Sequence, residues 1–230
     1  MRKIRILYIH HGGFKGGAPR SLAFLIEKLD KNKFEPIVLC NYDFNDNKEL
    51  FESVGASVYK ENICPWHGSY VAPVDKSMLK SNVMGLRPTF KASKHLLTKY
   101  KPDLVHLNST CLCFVAYAIK RINANIPVVC HVREPLLPGF WGVVIRHFCN
   151  KSVDQYIAID QFDANSLKTK LPISIIYNFV DLNVYNPLIK YSPLEIIDNS
   201  FKVSGFKILK LVYFLSSTVM GEDNSSISFF

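Results

Sequence analysis

The sequence predicts an α/β fold in which helices flank a mainly parallel β-sheet. Apolar runs of strand length alternate along the chain with amphipathic stretches of helical spacing, as in repeated strand–helix–strand units. The 230 residues, of which 48% are hydrophobic and 20% charged, suffice to bury a substantial core. We therefore expect a doubly wound sheet with helices on both faces.

Seven apolar runs have the length of strands, and six stretches have helical periodicity. The first run is followed by glycines and then by an amphipathic stretch, which is the order of a strand, a turn and a helix. We predict strands at 4–9, 35–39, 57–59, 104–107, 128–132, 155–159 and 173–177. We predict helices at 20–29, 48–54, 89–100, 111–122, 141–149 and 161–170.

The segment 62–87 interrupts this alternation. It contains Pro65, Gly68, Pro73 and Gly85 and has no clear periodicity, so we predict a long excursion over the surface. Long loops of this kind often carry function.

Polar residues follow the predicted strands at the positions where a ligand would bind. In an open parallel sheet, ligands lie beyond the carboxyl ends of the strands. These positions hold His10, Gly16 and Gly17 after the first strand, Asn108 after the fourth, His131 and Arg133 at the fifth, Asp160 after the sixth and Asn178 after the seventh. We expect these residues along one edge of the sheet.

Glycines dominate the segment GGFKGGAPRSL, residues 12–22. Gly16 and Gly17 would let the backbone come close to a ligand, and the helix start behind them favours an anion such as a pyrophosphate. The alternative is that the glycines only make a tight turn. The loop matches neither the dinucleotide-binding fingerprint nor the P-loop.

His131 ends an apolar run, so its side chain is predicted at the ligand edge of the sheet. A histidine there can donate to a sugar hydroxyl or stabilise developing charge. The alternative is a hydrogen-bonded histidine that only holds a loop in place. Arg133 and Glu134 follow His131 closely in the sequence. The alternative to a ligand-binding role for these two residues is an ion pair with each other on the surface.

The stretch IIYNFVDLNVYNP, residues 175–187, ends the last predicted strand. Asn178 can donate and accept where the strand ends, Asp181 can cap the following turn, and Pro187 stops any helix. We interpret the stretch as a turn at the edge of a cleft.

The six cysteines lack the paired spacing of a disulfide framework or a zinc site. We expect them to be reduced and mostly buried, and we expect neither a metal nor a cofactor. The N-terminus lacks the apolar core of a signal peptide, and no later run is long enough to span a bilayer, which predicts a cytoplasmic protein.

The excess of 28 Lys and Arg over 19 Asp and Glu gives a formal charge of +9. Such a charge attracts phosphates, anionic lipid headgroups or nucleic acid. The basic residues are interpreted as spread along the chain, and no nucleic-acid-binding motif accompanies them, so we do not expect a nucleic-acid partner.

Four segments together resemble landmarks of one enzyme family. They are GGAPRSL, KPDLVHLNS, IPVVCHVREP and IIYNFVDLNVYNP, within residues 4–187. Their order and spacing resemble the family 4 retaining glycosyltransferases of GT-B architecture, in which two Rossmann-like domains face each other across a cleft. The resemblance implies the first, acceptor-side domain of that architecture.

The resemblance also implies roles for individual residues. Gly16 and Gly17 would approach the phosphates of a nucleotide-sugar donor, and His131 would contact the donor sugar near the reacting carbon. Arg20 and Asn108 would line the cleft. Arg133 and Asn178 are further candidates for binding donor or acceptor. Two positions depart from the family pattern: Pro19 stands where the loop usually has Glu, and Phe179 where it has Gly.

The resemblance implies a domain at 1–187, followed at 188–230 by a linker and the start of a donor domain. The implied partners are a nucleotide sugar, a glycan or lipid-linked acceptor and a protein chain that completes the cleft. The positive charge would in addition suit an anionic membrane surface at the cytoplasmic side. We expect weak or no transfer by the chain alone, in polysaccharide or cell-envelope biosynthesis. The alternatives are a non-catalytic assembly module and, less well matched, another Rossmann-like enzyme such as an epimerase or a dehydrogenase.

Overall fold

Strands and helices alternate through the part of the chain that the computed structural model describes, residues 2–11, 16–40, 44–61, 63, 65–66 and 76–178. The strands are β1 (Ile4–His10), β2 (Phe34–Cys40), β3 (Ser57–Lys60), β4 (Leu104–Leu107), β5 (Val128–Val132), β6 (Gln155–Ala158) and β7 (Ile173–Ile175). The helices are α1 (Gly17–Glu27), α2 (Phe44–Ser53), α3 (Lys76–Met84), α4 (Leu86–Tyr100), α5 (Cys113–Ile122), α6 (Phe140–Ser152) and α7 (Gln161–Ser166). A short 3-10 helix, Thr110–Leu112, precedes α5. The predicted strands and helices are all present.

The strands form one sheet in the order β3-β2-β1-β4-β5-β6-β7, and each pairing between these described strands is parallel. From β1 the chain builds outward to β3 on one side and then crosses to β4 and continues to β7 on the other. Right-handed crossovers therefore place the helices of the two halves on opposite faces. The predicted Rossmann-like, doubly wound α/β fold is confirmed, and its switch point lies between β1 and β4.

Alternate residues of β1 face two hydrophobic clusters. Leu7 and Ile9 pack in a cluster that includes side chains from α4, α5 and α6. Ile6 and Tyr8 pack in a second cluster with side chains from α1 and α2. Because successive side chains of a strand point to opposite faces, β1 is buried on both, which explains why its sequence is almost continuously apolar.

The predicted surface excursion at 62–87 was wrong in its second half. Helix α3 lies within it, and α4 begins at Leu86, before the predicted start at 89. Pro88 lies in the first turn of α4, where a residue without an N–H is tolerated, so it does not end the helix. Gly85, between the two helices, has right-handed helical angles of φ −71° and ψ −12°. Residues 67–75 lie outside the described part of the chain.

Trp66 fixes the first half of the same segment to the core. Its ring stacks on Phe114 of α5, with centroids 5.6 Å apart and ring planes at 13°. Its indole Nε1 donates to the carbonyl oxygen of Asn82 in α3 at 3.0 Å. Only 7% of the Trp66 side chain and backbone is exposed. The segment therefore packs on α5 at this point and does not run over the surface.

Three further predictions concern helix ends, cysteines and membrane spans. Helix α7 ends before the predicted residue 170, since Lys168 has a left-handed φ of 47°. The cysteines within the described residues are free and buried, as predicted: Cys40, Cys111, Cys113, Cys130 and Cys149. None of the helices in the described ranges combines the length and the hydropathy needed to cross a membrane. The domain end predicted at 187, the continuation at 188–230 and Cys64 lie outside the described residues.

Candidate functional site

Four of the predicted site residues meet at the carboxyl edge of the sheet, beside the switch point. Asn108 directly follows β4, His131 lies in β5, and Arg133 follows β5. Asn178 lies just beyond β7. The parallel order of the strands puts their carboxyl ends at one edge, and side-chain hydrogen bonds then bring the four residues together.

Arg133 is the centre of these contacts. Its Nε donates to Oδ1 of Asn108 at 2.7 Å. One terminal nitrogen donates to Nδ1 of His131 at 3.3 Å, and the other lies 3.5 Å from Oδ1 of Asn178. The hydroxyl of Ser21, in α1, donates to the same Asn178 oxygen at 2.8 Å. We call these five residues, together with His10 described next, the Arg133 network.

The network determines which ring nitrogens carry protons. A guanidinium only donates hydrogen bonds, so Oδ1 of Asn108 must face Arg133 and Nδ2 must face the other way. Nδ2 then donates to Nδ1 of His10 at 3.0 Å and lies 3.4 Å from the carbonyl oxygen of Ala18. Because both His10 and His131 accept at Nδ1, each neutral ring carries its proton on Nε2.

Burial keeps these imidazoles neutral. It lowers the pKa of His10 to about 3, with further lowering by His11 and Arg133. It lowers the pKa of His131 to about 2, and the positive charge of Arg133 and the neighbouring His106 act in the same direction. His106 has a pKa of about 3 for the same main reason. At neutral pH the rings therefore act as uncharged hydrogen-bonding groups.

Two ring nitrogens of the Arg133 network have unsatisfied donors. Nε2 of His10 and Nε2 of His131 are buried and have no hydrogen-bond partner among the described residues. Each of these residues is less than 5% exposed. A buried N–H without an acceptor costs about 1–3 kcal/mol, so an oxygen atom that came within reach of either nitrogen would be favoured.

Arg133 is a partly buried cation without a counter-ion in the described part of the chain. Its salt-bridge partners would be carboxylates, and none of the described ion pairs includes it. Burial lowers its pKa to about 10, so the guanidinium stays charged at neutral pH. The Arg133 side chain donates hydrogen bonds to Asn108, His131 and Asn178. It therefore does not form the surface ion pair with Glu134 that the sequence left open as an alternative. An uncompensated charge in this position favours an anionic ligand.

The glycine segment leads into α1 beside the network. Gly16 is the N-cap in an extended conformation, and no side chain caps the helix start. A Cβ built on Gly17 would meet no atom within 4 Å, so packing against the described residues does not require glycine there. Pro19 is buried in the first turn of α1, which tolerates it as it tolerates Pro88 in α4. Residues 12–15 lie outside the described part.

Arg20 is placed differently from the other predicted residues. It is exposed on α1, and its backbone N–H donates to the carbonyl oxygen of Gly16 at 3.5 Å. None of the contacts of the Arg133 network involves its side chain. What Arg20 and the other six residues bind stays a prediction.

Three residues that the structure places here were not among the predicted site residues, although the rule about strand ends had put His10 at this edge of the sheet. His10 and Ser21 belong to the network, and the ring of His106 packs edge-on against His131 with centroids 5.6 Å apart. Strand alternation carried a signal for the histidines. His10, His106 and His131 occupy positions of β1, β4 and β5 that alternate with the residues of the cluster under α4, α5 and α6, so they share the opposite face.

The described residues hold no group of three or more His, Cys, Asp or Glu side chains arranged to bind a metal ion. The Arg133 network supplies polar groups of its own. It offers one cation and two neutral N–H donors at the edge where ligands of such sheets bind.

Comparisons with known structures give the same fold for proteins of several functions. HepE from Anabaena, in a complex with UDP and glucose, is 20% identical with a TM-score of 0.55 over 84% of this chain and 48% of HepE. The lipopolysaccharide outer core galactosyltransferase WaaB is 14% identical, with a TM-score of 0.52 over 78% of this chain and 47% of WaaB. A UDP-N-acetylglucosamine 2-epimerase is 14% identical, with a TM-score of 0.55 over 85% of this chain and 54% of the epimerase. At these identities the likeness shows the fold alone.

The chain spans about half the length of each of these structures. A search of curated protein sequences found no match. A comparison with family models separates the possibilities that the fold leaves open, because the model of Glycosyltransferase Family 4 matches residues 15–184. That match covers most of the chain and includes residues 15–22 of the glycine segment and every residue of the Arg133 network except His10. The chain belongs to glycosyltransferase family 4, with the fold of the N-terminal domain of the GT-B architecture.

Proposed function

We propose that this chain is a glycosyltransferase domain that takes part in the transfer of a sugar from a nucleotide-sugar donor to a glycan or lipid-linked acceptor. The observation that carries the proposal is the charge of Arg133, which lies partly buried at the ligand edge without a described carboxylate partner. A sugar nucleotide would bring the missing anion in its diphosphate.

Arg133 has hydrogen atoms left for that anion. A guanidinium has five N–H groups, and the contacts to Asn108, His131 and Asn178 use three of them. A planar guanidinium held at several points is already oriented, so little freedom is lost when phosphate oxygens bind. In the proposed complex the remaining N–H groups donate to the diphosphate of the donor.

His131 and His10 would meet the sugar or the acceptor. Each is a neutral ring whose Nε2 proton has no acceptor among the described residues. A sugar hydroxyl or ring oxygen can accept that proton in a hydrogen bond, and a donor aimed at developing negative charge stabilises a transition state. In this proposal His131 contacts the donor sugar near the reacting carbon, while Gly16 and Gly17 let the backbone approach the phosphates.

Two of the fold neighbours favour this assignment. HepE is described in a complex with UDP and glucose, and WaaB is described as a galactosyltransferase of the lipopolysaccharide outer core. By analogy we propose UDP-linked sugars as the first donors to test and a polysaccharide or cell-envelope glycan as the product class. We also propose a peripheral contact with an anionic membrane and a complementary protein half that supplies further donor-binding groups.

The test is a calorimetric titration of the whole chain with UDP, ADP and GDP and with their common sugar conjugates. We expect binding of at least one nucleotide, with affinity reduced about tenfold or more in Arg133→Ala, since a charge-assisted hydrogen bond contributes about 1.5–3 kcal/mol. The matched control is Arg121→Ala, an exposed arginine at the end of α5. We expect this variant to bind as the wild type does.

Two results would overturn the proposal. One is the absence of binding across the panel by a folded chain. The other is equal affinity in the wild type and Arg133→Ala. Concentration-dependent oligomers without nucleotide binding would instead favour the alternative function, a non-catalytic assembly module.

A further inference from the structure

Helices α3 and α4 carry a concentration of positive charge. Residues 76–101 contain Lys76, Lys80, Arg87, Lys91, Lys94, Lys99 and Lys101 and no Asp or Glu. These seven residues are a quarter of the chain's 28 Lys and Arg within about a ninth of its length. The expectation that basic residues are evenly spread was therefore wrong for this segment.

The two helices follow one another directly, with Gly85 between them as the N-cap of α4. The N–H of Gly85 donates to the carbonyl oxygen of Ser81 at 2.8 Å, and the N–H of Thr89 donates to that of Gly85 at 2.9 Å. Both bonds have the spacing of an α-helix and meet at Gly85, whose own angles are right-handed, so α4 begins where α3 ends with no loop between them.

Most of the cations lie on one stripe of this helix pair. Residues spaced by three or four positions share a helical face, and one such series begins at Lys76. Its members are Lys76, Lys80, Val83, Arg87, Lys91, Lys94, Thr98 and Lys101, all exposed. We call this series the basic stripe. The opposite face of α4 packs into the core through Ser93, Leu96 and Tyr100.

The cations of the basic stripe are available to a partner. Lys99, which lies off the stripe, donates to Glu61 at 2.8 Å and is paired. Among the described residues, no ion pair includes any of the six cations of the stripe. Their charge is therefore uncompensated by the described part of the chain.

Apolar side chains project beside these cations. Val83 is 55% exposed, Met84 66% and Leu79 37%. Lys80 and Met84 also line a surface depression of about 440 Å³ next to Pro88. A second depression, of about 460 Å³, lies farther along the stripe between Lys94, Lys101 and Ile126. Lysine and apolar side chains thus line both depressions.

We propose that α3 and α4 bind the headgroup region of an anionic lipid bilayer. Lysine and arginine on an exposed helical face are attracted to anionic headgroups, and adjoining aliphatic side chains gain from entry into the interface. A nucleic acid would contact the same cations, but it would leave Leu79, Val83 and Met84 in water. The combination of charge and exposed aliphatic carbon is what selects the membrane.

Docking through this surface deepens the proposed function without requiring it. Because α4 ends only a few residues before β4, it runs back along the sheet and begins toward the carboxyl edge. That edge carries the Arg133 network. A membrane bound along the basic stripe would therefore lie beside the candidate site, which fits the lipid-linked acceptor that the proposed function names.

The test is co-sedimentation of the whole chain with phosphatidylcholine vesicles that contain about 30% of an anionic lipid, phosphatidylglycerol. We expect binding that weakens with salt and is absent from pure phosphatidylcholine. Each cation near such a surface contributes about a fivefold increase in affinity. We therefore expect the affinity for these vesicles to fall at least about tenfold in the triple variant Lys80→Glu, Lys91→Glu, Lys94→Glu.

A matched control separates the basic stripe from general charge. Lys3→Glu, Lys151→Glu, Lys170→Glu makes the same change in net charge at exposed positions off α3 and α4. We expect this control to retain most vesicle binding. Val83→Ser, Met84→Ser changes no charge and should weaken binding while it leaves the salt dependence unaltered.

Three outcomes would overturn the inference. They are vesicle binding that the stripe variant retains, an equal loss in the charge-matched control, and preferred binding of a random-sequence DNA duplex at the same salt. Thermal unfolding of each variant checks that it is folded. If the charge-reversed variant does not fold, vesicle binding by the Val83→Ser, Met84→Ser variant still tests the inference. Nucleotide titration of the same variants keeps this test separate from the proposed function, since Arg133→Ala should still bind vesicles.

Discussion

Arg133 donates from Nε to Oδ1 of Asn108 across 2.7 Å, and this bond joins the chain after β5 to the chain after β4. It also sets the orientation of the Asn108 amide and, through Nδ2, the tautomer of His10. One contact between two side chains thus determines which atoms of the site donate and which accept. Its removal has consequences both for stability and for the histidines.

Asn108→Ala is expected to destabilise the fold by about 1–3 kcal/mol. The substitution leaves Nε of Arg133 and Nδ1 of His10 without their present partner, and unsatisfied buried polar groups have this cost. Urea unfolding measures the change. Asn32→Ala, at an exposed asparagine, is the control and should stay within about 0.5 kcal/mol of the wild type. Equal stability of the two variants would contradict the network as described.

The buried histidines make the fold acid-sensitive. Their pKa values of about 3 for His10 and His106 and about 2 for His131 are lower in the folded chain than in the unfolded chain, where a histidine titrates near 6.5. Below about pH 6.5 the unfolded state therefore binds more protons, and stability falls as the pH falls. Each histidine contributes a slope of about 1.4 kcal/mol per pH unit until its folded pKa is reached.

The histidine slope is measurable by unfolding the wild type and His106→Phe at pH 7.5 and pH 5.5. We expect the wild type to lose about 1 kcal/mol more than the variant between these two conditions, because the variant has one titrating group fewer. A wild type and variant with the same loss would show that His106 is not held neutral by burial. His95→Phe, at an exposed histidine of α4, serves as the control and should behave as the wild type does.

Asp163→Asn is expected to stabilise the chain at pH 7.5. Burial, and then the charges of Asp160 and Glu134, raise the pKa of Asp163 to about 6. The pKa of Asp163 is thus higher in the folded chain than in the unfolded chain, where it is near 3.9, so protonation of Asp163 favours the folded state. This contribution to the free energy of unfolding is fully present below about pH 3.9 and is lost as the pH rises toward 6. Removing the charge recovers up to about 3 kcal/mol at pH 7.5. Urea unfolding of the wild type and Asp163→Asn at pH 7.5 and pH 4 tests this expectation. A gain in the free energy of unfolding that is no larger at pH 7.5 than at pH 4 would contradict it.

Trp66→Ala is expected to cost about 3–5 kcal/mol, as loss of a buried large side chain generally does. The reason is its stacking on Phe114 and its bond to the Asn82 carbonyl. The chain has two tryptophans, so Trp141→Phe is both the control for stability and a way to observe Trp66 alone by fluorescence. Trp66 should then emit at short wavelength. Emission of Trp141→Phe at the wavelength of a solvated indole would show that Trp66 is not packed on α5.

The fold could be predicted because its signal is local and repeated. The apolar runs of β1, β2 and β5 and the helical spacing of α1 and α5 each agree with the final structure. Helix α3 was missed because its sequence, KSMLKSNVM, has four apolar residues and buries none of them. Periodicity detects a helix that buries one face, and α3 buries little.

The site was predicted in part, for a reason that follows from geometry. The rule about strand ends selected Asn108, His131, Arg133 and Asn178, which the structure brings into one network. It could not show that Arg133 is the centre, because the contact between residues 108 and 133 depends on the order of strands in the sheet. Ser21 was missed for the same reason, since nothing local relates it to Asn178.

The most direct test of the central claim is to follow the Nε–H resonance of Arg133 by NMR while UDP or uridine is added to the whole chain. Arg133→Lys identifies the signal by its loss, and Arg121 provides an exposed reference signal. If the guanidinium meets the diphosphate, UDP shifts the Arg133 resonance, whereas uridine, which has no phosphate, leaves it in place. A UDP complex in which the Arg133 resonance does not move, or moves equally with uridine, would contradict the proposed site.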